Sequence, residues 1–145
     1  MSFLSRLFGQ NDISDAQLAM IDGLCLSLCA DGSTVEAEVN EAVGFVVGLT
    51  RVSEGEAKAL LQKSLKRIAT DSEAVLKSLP KRATTPEQRE GVMFAALFIQ
   101  YMDGQITHGE DEIINVLSST LELSDERVQD LIVEVESQLE AHTEV

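Results

Sequence analysis

Val92 to Glu112, VMFAALFIQYMDGQITHGEDE, is the stretch whose reading decides the fold. From Val92 to Met102 only Gln100 interrupts the apolar run, so the segment reads as a helix buried on most sides rather than a half-wet surface helix. It is expected to be the central helix. The run stops at Asp103-Gly104, where glycine supplies the left-handed conformation that closes a helix. Thr107 to Glu110 then fits the capping box that opens a helix, with a threonine and a glutamate satisfying each other's free backbone N–H groups.

The same design occurs upstream. Leu18 to Cys29 is mostly apolar and is followed by Ala30-Asp31-Gly32, Ser33-Thr34 and Glu36-Ala37-Glu38. A shift of about 72 positions places Asp31 on Asp103, Gly32 on Gly104, Glu38 on Glu110 and Leu49 on Leu121, the mark of an internal duplication.

Other helices follow outward from these two. Ser14 or Asp15 can cap the first, within which Asp22 is expected to face water. Val39, Val43, Phe45, Val46 and Leu49 carry the second, where Gly44 and Gly48 suggest close helix packing. Ser53 to Glu56 opens a third, with Ala57, Leu60, Leu61, Leu65 and Ile68 on its apolar side and Lys58, Lys63, Lys66 and Arg67 on its wet side. Asp71 caps a short fourth helix bearing Val75, Leu76 and Leu79, which Pro80 should end. Lys81 to Thr84 is the expected linker, and Thr85-Pro86-Glu87-Gln88 starts the central helix with a capping box and a proline at its first position. Ile113, Ile114, Val116, Leu117 and Leu121 mark the next helix. Ser124 caps the last, whose stripe is Val128, Leu131, Ile132, Val135 and Leu139. Nothing reads as a strand. The fold expected is all-α, a single-domain bundle of about seven helices built from two weakly similar repeats.

The 145 residues suit one domain with a substantial core. Residues 1–13 form an N-terminal flap or short amphipathic segment, 14–140 the helical domain, and 141–145 a frayed tail. Phe3, Leu4, Leu7 and Phe8 fall on one side of that first segment, which could touch a membrane surface but is too short to anchor by itself. No apolar run approaches the ~20 residues of a membrane span, and no secretory signal is visible. The only cysteines, Cys25 and Cys29, lie one helical turn apart in an apolar run and read as buried, reduced thiols of a cytoplasmic protein. No further Cys or His pair completes a zinc set.

The net charge of -14 argues against nucleic acid as a partner. The charge is also segregated: Asp103 to Val145 holds twelve acids and one base, Arg127, whereas Arg51 to Glu90 holds nine of the eleven bases and six acids. The acidic third is either a plain solvated face or a surface for a protein partner that is itself basic.

The two turns carry the chemistry. Asp31 and Asp103 each end an apolar helix, where the macrodipole disfavours negative charge, so a following helix start, a base or a bound cation must offset them. Each turn also matches the second half of an EF-hand loop, with Asp-Gly at positions five and six and Glu at position twelve. The first half is missing, since positions one and three would be Ser27 and Cys29, or Ile99 and Tyr101. Structural turns and a cation site both remain open on this reading. If the repeats pack with pseudo-twofold symmetry, Asp31, Glu38, Asp103 and Glu110 converge on one oxygen-rich site suited to Ca²⁺ or Mg²⁺. No nucleophile–base pair or phosphate-binding glycine loop accompanies these carboxylates, and His108 and His142 lie at a helix start and in the tail, so the protein reads as non-enzymatic.

At Leu28-Cys29-Ala30-Asp31-Gly32 with Glu38, and at Tyr101-Met102-Asp103-Gly104-Gln105-Ile106 with Glu110, the chain resembles the TerB-like family. These helical domains are associated with bacterial tellurite resistance and also stand at the N-terminus of some membrane-anchored DnaJ-type co-chaperones. The resemblance spans roughly Leu18 to Leu139. It implies an all-helical fold without an established catalytic activity, acidic residues that bind metal, and a place in stress-response complexes near the inner membrane. Carried over by position, the metal residues are Asp31, Glu38, Asp103 and Glu110, with Glu36, Glu41 and Asp111 as neighbours. Thr34-Val35 replaces the Ile106-Thr107 of the second turn, which sets the two turns apart.

Overall fold

The computed structural model describes residues 14–30, 36–101 and 108–143, with the backbone alone for 36–38, 108–111 and 140–143. The expected N-terminal segment 1–13 and the last two residues lie outside the described residues. Among the described residues there are six helices: α1 (Asp15–Cys29), α2 (Glu36–Thr50), α3 (Glu54–Arg82), α4 (Pro86–Tyr101), α5 (His108–Thr120) and α6 (Asp125–Thr143). No strand occurs among the described residues, and no described helix is long and apolar enough to cross a membrane.

Seven expected helices become six because α3 joins two of them across a kink at Asp71, whose backbone is extended (φ -159°, ψ 85°). The Asp71 carboxylate accepts the Ala74 N–H at 3.0 Å, so the predicted cap starts the second half without a gap in the chain. Pro80 does not end the helix, which runs on to Arg82. Arg89 explains how this last turn is held: its Nε donates to Ala83 O at 2.9 Å and its Nη2 to Pro80 O at 3.3 Å, satisfying carbonyls left free at the helix end. The linker therefore shortens to residues 83–85.

The duplication is plain in the backbone. Ser14 Oγ accepts the Gln17 N–H while Gln17 Oε1 accepts the Ser14 N–H, and Thr85 with Gln88 makes the same reciprocal box about 71 positions later. The second helix of each repeat ends on a left-handed residue other than glycine, Arg51 (φ 60°) and Glu122 (φ 58°). At Glu122 the N–H bonds to Ser119 O and that of Leu123 to Ser118 O, a Schellman closure. Ser53 and Ser124 then cap the third helices. Each repeat is thus three helices, α1–α3 and α4–α6.

The core lies where the two first helices meet. In α1 Gln17 and every residue from Ala19 to Leu28 is buried, and in α4 Gly91 to Leu97, Ile99 and Gln100 are buried, as expected of the two apolar runs. α3 packs on α1 and α6 on α4, so each repeat covers its own central helix. Two contacts fix the direction of the central pair. Gly23 meets Val92, and Ser27 Oγ donates to Ala96 O at 2.9 Å. Both partners advance by one turn together, so α1 and α4 run the same way and their C-terminal ends leave the same end of the bundle.

α2 closes one side of this pair through Phe45, which stacks at 6.5 Å on Phe94 and packs at 5.1 Å on Phe98. Phe94 is fully buried, whereas Phe98, at the middle of the run expected to be most buried, is only partly so. Val116 is likewise exposed on the outer side of α5.

The glycines reverse their expected roles. Gly44 and Gly48 are exposed with nothing near them among the described residues, while a Cβ on Gly23 would stand 2.6 Å from Val92 Cγ1 and 3.1 Å from Val92 O. Val92 is β-branched and confined to one rotamer in a helix, so it cannot swing clear. Gly23→Ala is therefore expected to lose about 1–2 kcal/mol, overpacking outweighing helix propensity. Gly44→Ala and Gly48→Ala should each gain about 0.5–1 kcal/mol. Urea unfolding of the three variants checks the ordering; a stabilised Gly23→Ala would contradict the tight α1–α4 approach.

Candidate functional site

Two regions concentrate polar chemistry. The first is the end of the bundle at which α1 and α4 stop and α2 and α5 begin. Asp31 and Asp103 lie outside the described residues. Glu38 and Glu110 are each the third residue of a helix, α2 and α5, and their side chains also lie outside, as do those of Glu36 and Asp111; Glu41 is exposed on α2. What the described residues do bring together is the flanks of the turns. Cys29 and Tyr101 end the parallel helices α1 and α4, and Glu36 and His108 start α2 and α5 at the same offset of about 72 positions. Cys29 and Ala30 share a cleft of about 460 Å³ with Ile113 of α5 and with Ser72 and Glu73 of α3. Ala30 precedes Asp31 directly, and Ile113 is three residues past Glu110. Among the described residues no group of three or more His, Cys, Asp or Glu is arranged to hold a metal.

The second region was missed by the sequence reading, which turned Asp22 outward. Asp22 is buried at the middle of α1. A carboxylate in that position must be neutralised, because an unpaired buried charge is far costlier than a buried apolar group. Three side chains of α3 do this. Ser64 Oγ donates to Oδ1 at 2.5 Å, Arg67 Nη2 donates to Oδ1 at 2.7 Å, and Arg82 Nη2 stands 2.7 Å from Oδ2. The last contact is a charge pair outside hydrogen-bond alignment, since Oδ2 accepts no hydrogen bond; the same Nη2 donates to Ser78 Oγ at 2.7 Å.

Arg67 and Arg82 come from opposite halves of α3, and the kink at Asp71 is what lets both reach one carboxylate. Arg67 is 48% exposed and Arg82 24%, so the pair forms the floor of an open cleft rather than a sealed ion pair. The cleft holds about 700 Å³ and is also lined by Lys63, Lys66, Thr70 and Ser78. A signal for it existed in the sequence: a lone acid inside an apolar helix buried on most sides has no wet face to occupy.

Neither cysteine is in a disulfide. Cys25 is fully buried, and burial pushes its thiol up from 9.0 to about 12. Cys29 is half-buried at the edge of the smaller cleft, short of the full burial expected.

A family model described as tellurite resistance protein TerB matches residues 17–132, a span that includes both turns and the Asp22 network. No curated protein and no solved structure matches the chain.

Two outcomes follow from this geometry. Asp22→Ala strands Arg82 and frees Arg67 to water, so it should cost about 3 kcal/mol in urea unfolding, the low end for breaking a buried pair; a loss under ~1 kcal/mol would mean that water serves the arginines equally well. Alkylation requires the thiolate, so iodoacetamide at pH 8 should label Cys29 and spare Cys25 in the folded protein, and label both in denaturant, as read by peptide mass. An unfolded chain releases the Cys25 proton near pH 9.0 and the folded one keeps it to about 12, so this group's contribution to stability falls across that window. Equal labelling of both cysteines in the folded state would contradict the burial of Cys25.

Proposed function

The chain belongs to the TerB family, and we propose that it is a non-enzymatic, tellurite-resistance-type module of bacterial stress response. Its two Asp-Gly turns would hold one divalent cation through Asp31, Glu38, Asp103 and Glu110 and couple that cation to protein–protein contact. The observation that supports the reading is the parallel packing of α1 on α4. The last described residues before the turns, Ala30 and Tyr101, then stand at the same end of the bundle, and Ala30 shares a cleft with Ile113 of the helix that carries Glu110.

The donor set consists of carboxylates alone, which suits Ca²⁺ or Mg²⁺ rather than a softer metal. Two helix C-termini at one end also concentrate partial negative charge beside Asp31 and Asp103, and a cation offsets both. At the other end of the bundle, where Arg127 clasps Glu90, Asp125, Glu126 and Asp130 surround one shallow cleft of α6 that fits a protein partner whose own surface is basic. The module then works in the cytoplasm, at the inner face of the membrane when its partner is there. A metal-independent scaffold is the second reading, favoured by the central helices' own apolar packing and internally neutralised Asp22.

Calcium decides between them. A ligand bound only by the native state at a hundred times its dissociation constant adds ~2.7 kcal/mol, which for a domain of this size raises the melting temperature by roughly 5–10 °C. Ca²⁺ should produce that rise beyond KCl at matched ionic strength, and chelator should reverse it. Asp31→Asn with Asp103→Asn keeps the turns and removes two charges, so the double variant should be more stable without metal and lose the calcium response. A double variant that responds to Ca²⁺ as the parent does would leave the scaffold reading in place.

A further inference from the structure

We propose that the cleft above Asp22 binds a small organic anion, a terminal phosphate or carboxylate on a short apolar body. Lys63, Lys66, Arg67 and Arg82 line it against two carboxylates, Asp22 and Asp71, and Asp71 is engaged in capping Ala74. Four cations facing two acids leave a surplus of positive charge in a chain whose net charge is -14. Elsewhere Lys77 pairs with Glu73 at 2.9 Å, Arg89 with Glu122 at 3.4 Å, and Arg127 clasps Glu90 through two nitrogens, while Lys58 and Lys81 are exposed without an ion pair among the described residues. Lys63 and Lys66 have no ion-pair partner among the described residues, although acids outnumber bases more than two to one. Arg82 also carries a buried Nε with no acceptor among the described residues, a donor left unsatisfied beside the cleft.

The shape selects the ligand class. The volume of about 700 Å³ is that of a small-molecule site and too small for a folded partner. The aliphatic stems of the lysines and arginines, with Ala74 and Val75, give apolar walls that favour a carbon body over a bare inorganic ion. A nucleic acid is disfavoured, because the positive charge is confined to a concavity and the rest of the chain repels a polyanion.

The test titrates the full chain with n-butyl phosphate, butyrate, inorganic phosphate and butanol by calorimetry. Chelator is present throughout, so that a cation at the turns plays no part, and NaCl at matched ionic strength serves as reference. Saturable binding is expected for n-butyl phosphate or butyrate, the tighter of the two identifying the head group, with inorganic phosphate weaker and butanol silent. The Lys63→Gln/Lys66→Gln double variant should bind roughly ten-fold more weakly, the loss of one charge-assisted hydrogen bond, while its ligand-free melting temperature stays that of the parent. Absence of saturable binding, binding that the double variant leaves intact, or a heat reproduced by NaCl would each overturn the proposal. So would a glutamate-rich peptide that binds the cleft where neither small anion does, which would make it a docking site for an acidic chain.

Discussion

The close approach of α1 to α4 is the constraint on which the molecule rests. Gly23 brings the helices near enough for Val92 to sit where a side chain would otherwise stand, and Ser27 can then reach the Ala96 carbonyl one turn further on. Two helices held this tightly exclude water from nearly all their surfaces, so their remaining polar groups have to be satisfied by protein. Asp22 obtains its partners from α3 and Gln17 bonds Leu49 O, which ties the end of α2 to the start of α1. The outer helices are positioned as much by these polar obligations as by apolar packing.

The two repeats have diverged at one place in particular. In the register that aligns Ser14 with Thr85, Asp22 falls on Met93, a fully buried apolar residue, and Arg67 on Gln138. Among the described residues α6 carries no kink like that of α3. The pairing of Asp22 with Arg67 therefore belongs to the first repeat alone. Since a buried ion pair rarely stabilises more than an apolar replacement of the same shape, Met93 is what a purely structural solution looks like at this position. Asp22 with its two arginines is the costlier choice.

Much of the architecture could be read from the residues because it rests on local rules. The cap at Ser14, the capping box at Thr85, the cap at Asp71 and the apolar runs of α1 and α4 depend on neighbours within a turn or two, and each holds in the structure. The misreadings at Asp22, Gly44, Gly48 and Phe98, and the unread role of Gly23, share one cause. Each turns on which side of a helix meets another helix, a matter of contacts tens of residues apart. Gly23 and Gly44 look alike in sequence, yet one faces Val92 and the other open space. For the site the division is similar. The symmetric spacing of the turns was legible, whereas the basic cleft needs two arginines from opposite sides of a kink to meet a residue of another helix.

The kink at Asp71 has a consequence for communication within the molecule. The segment from Ile68 to Leu76 walls both clefts, with Thr70, Ala74 and Val75 toward Asp22 and Ile68, Ser72, Glu73 and Leu76 toward Cys29 and Ile113. A change in the bend angle cannot alter one volume without altering the other. Two ligands, one in each cleft, that both favoured one bend angle would strengthen each other's binding by the same free energy. The bend at Asp71 thus stands as a wall held in common by the basic cleft and the smaller cleft beside Cys29.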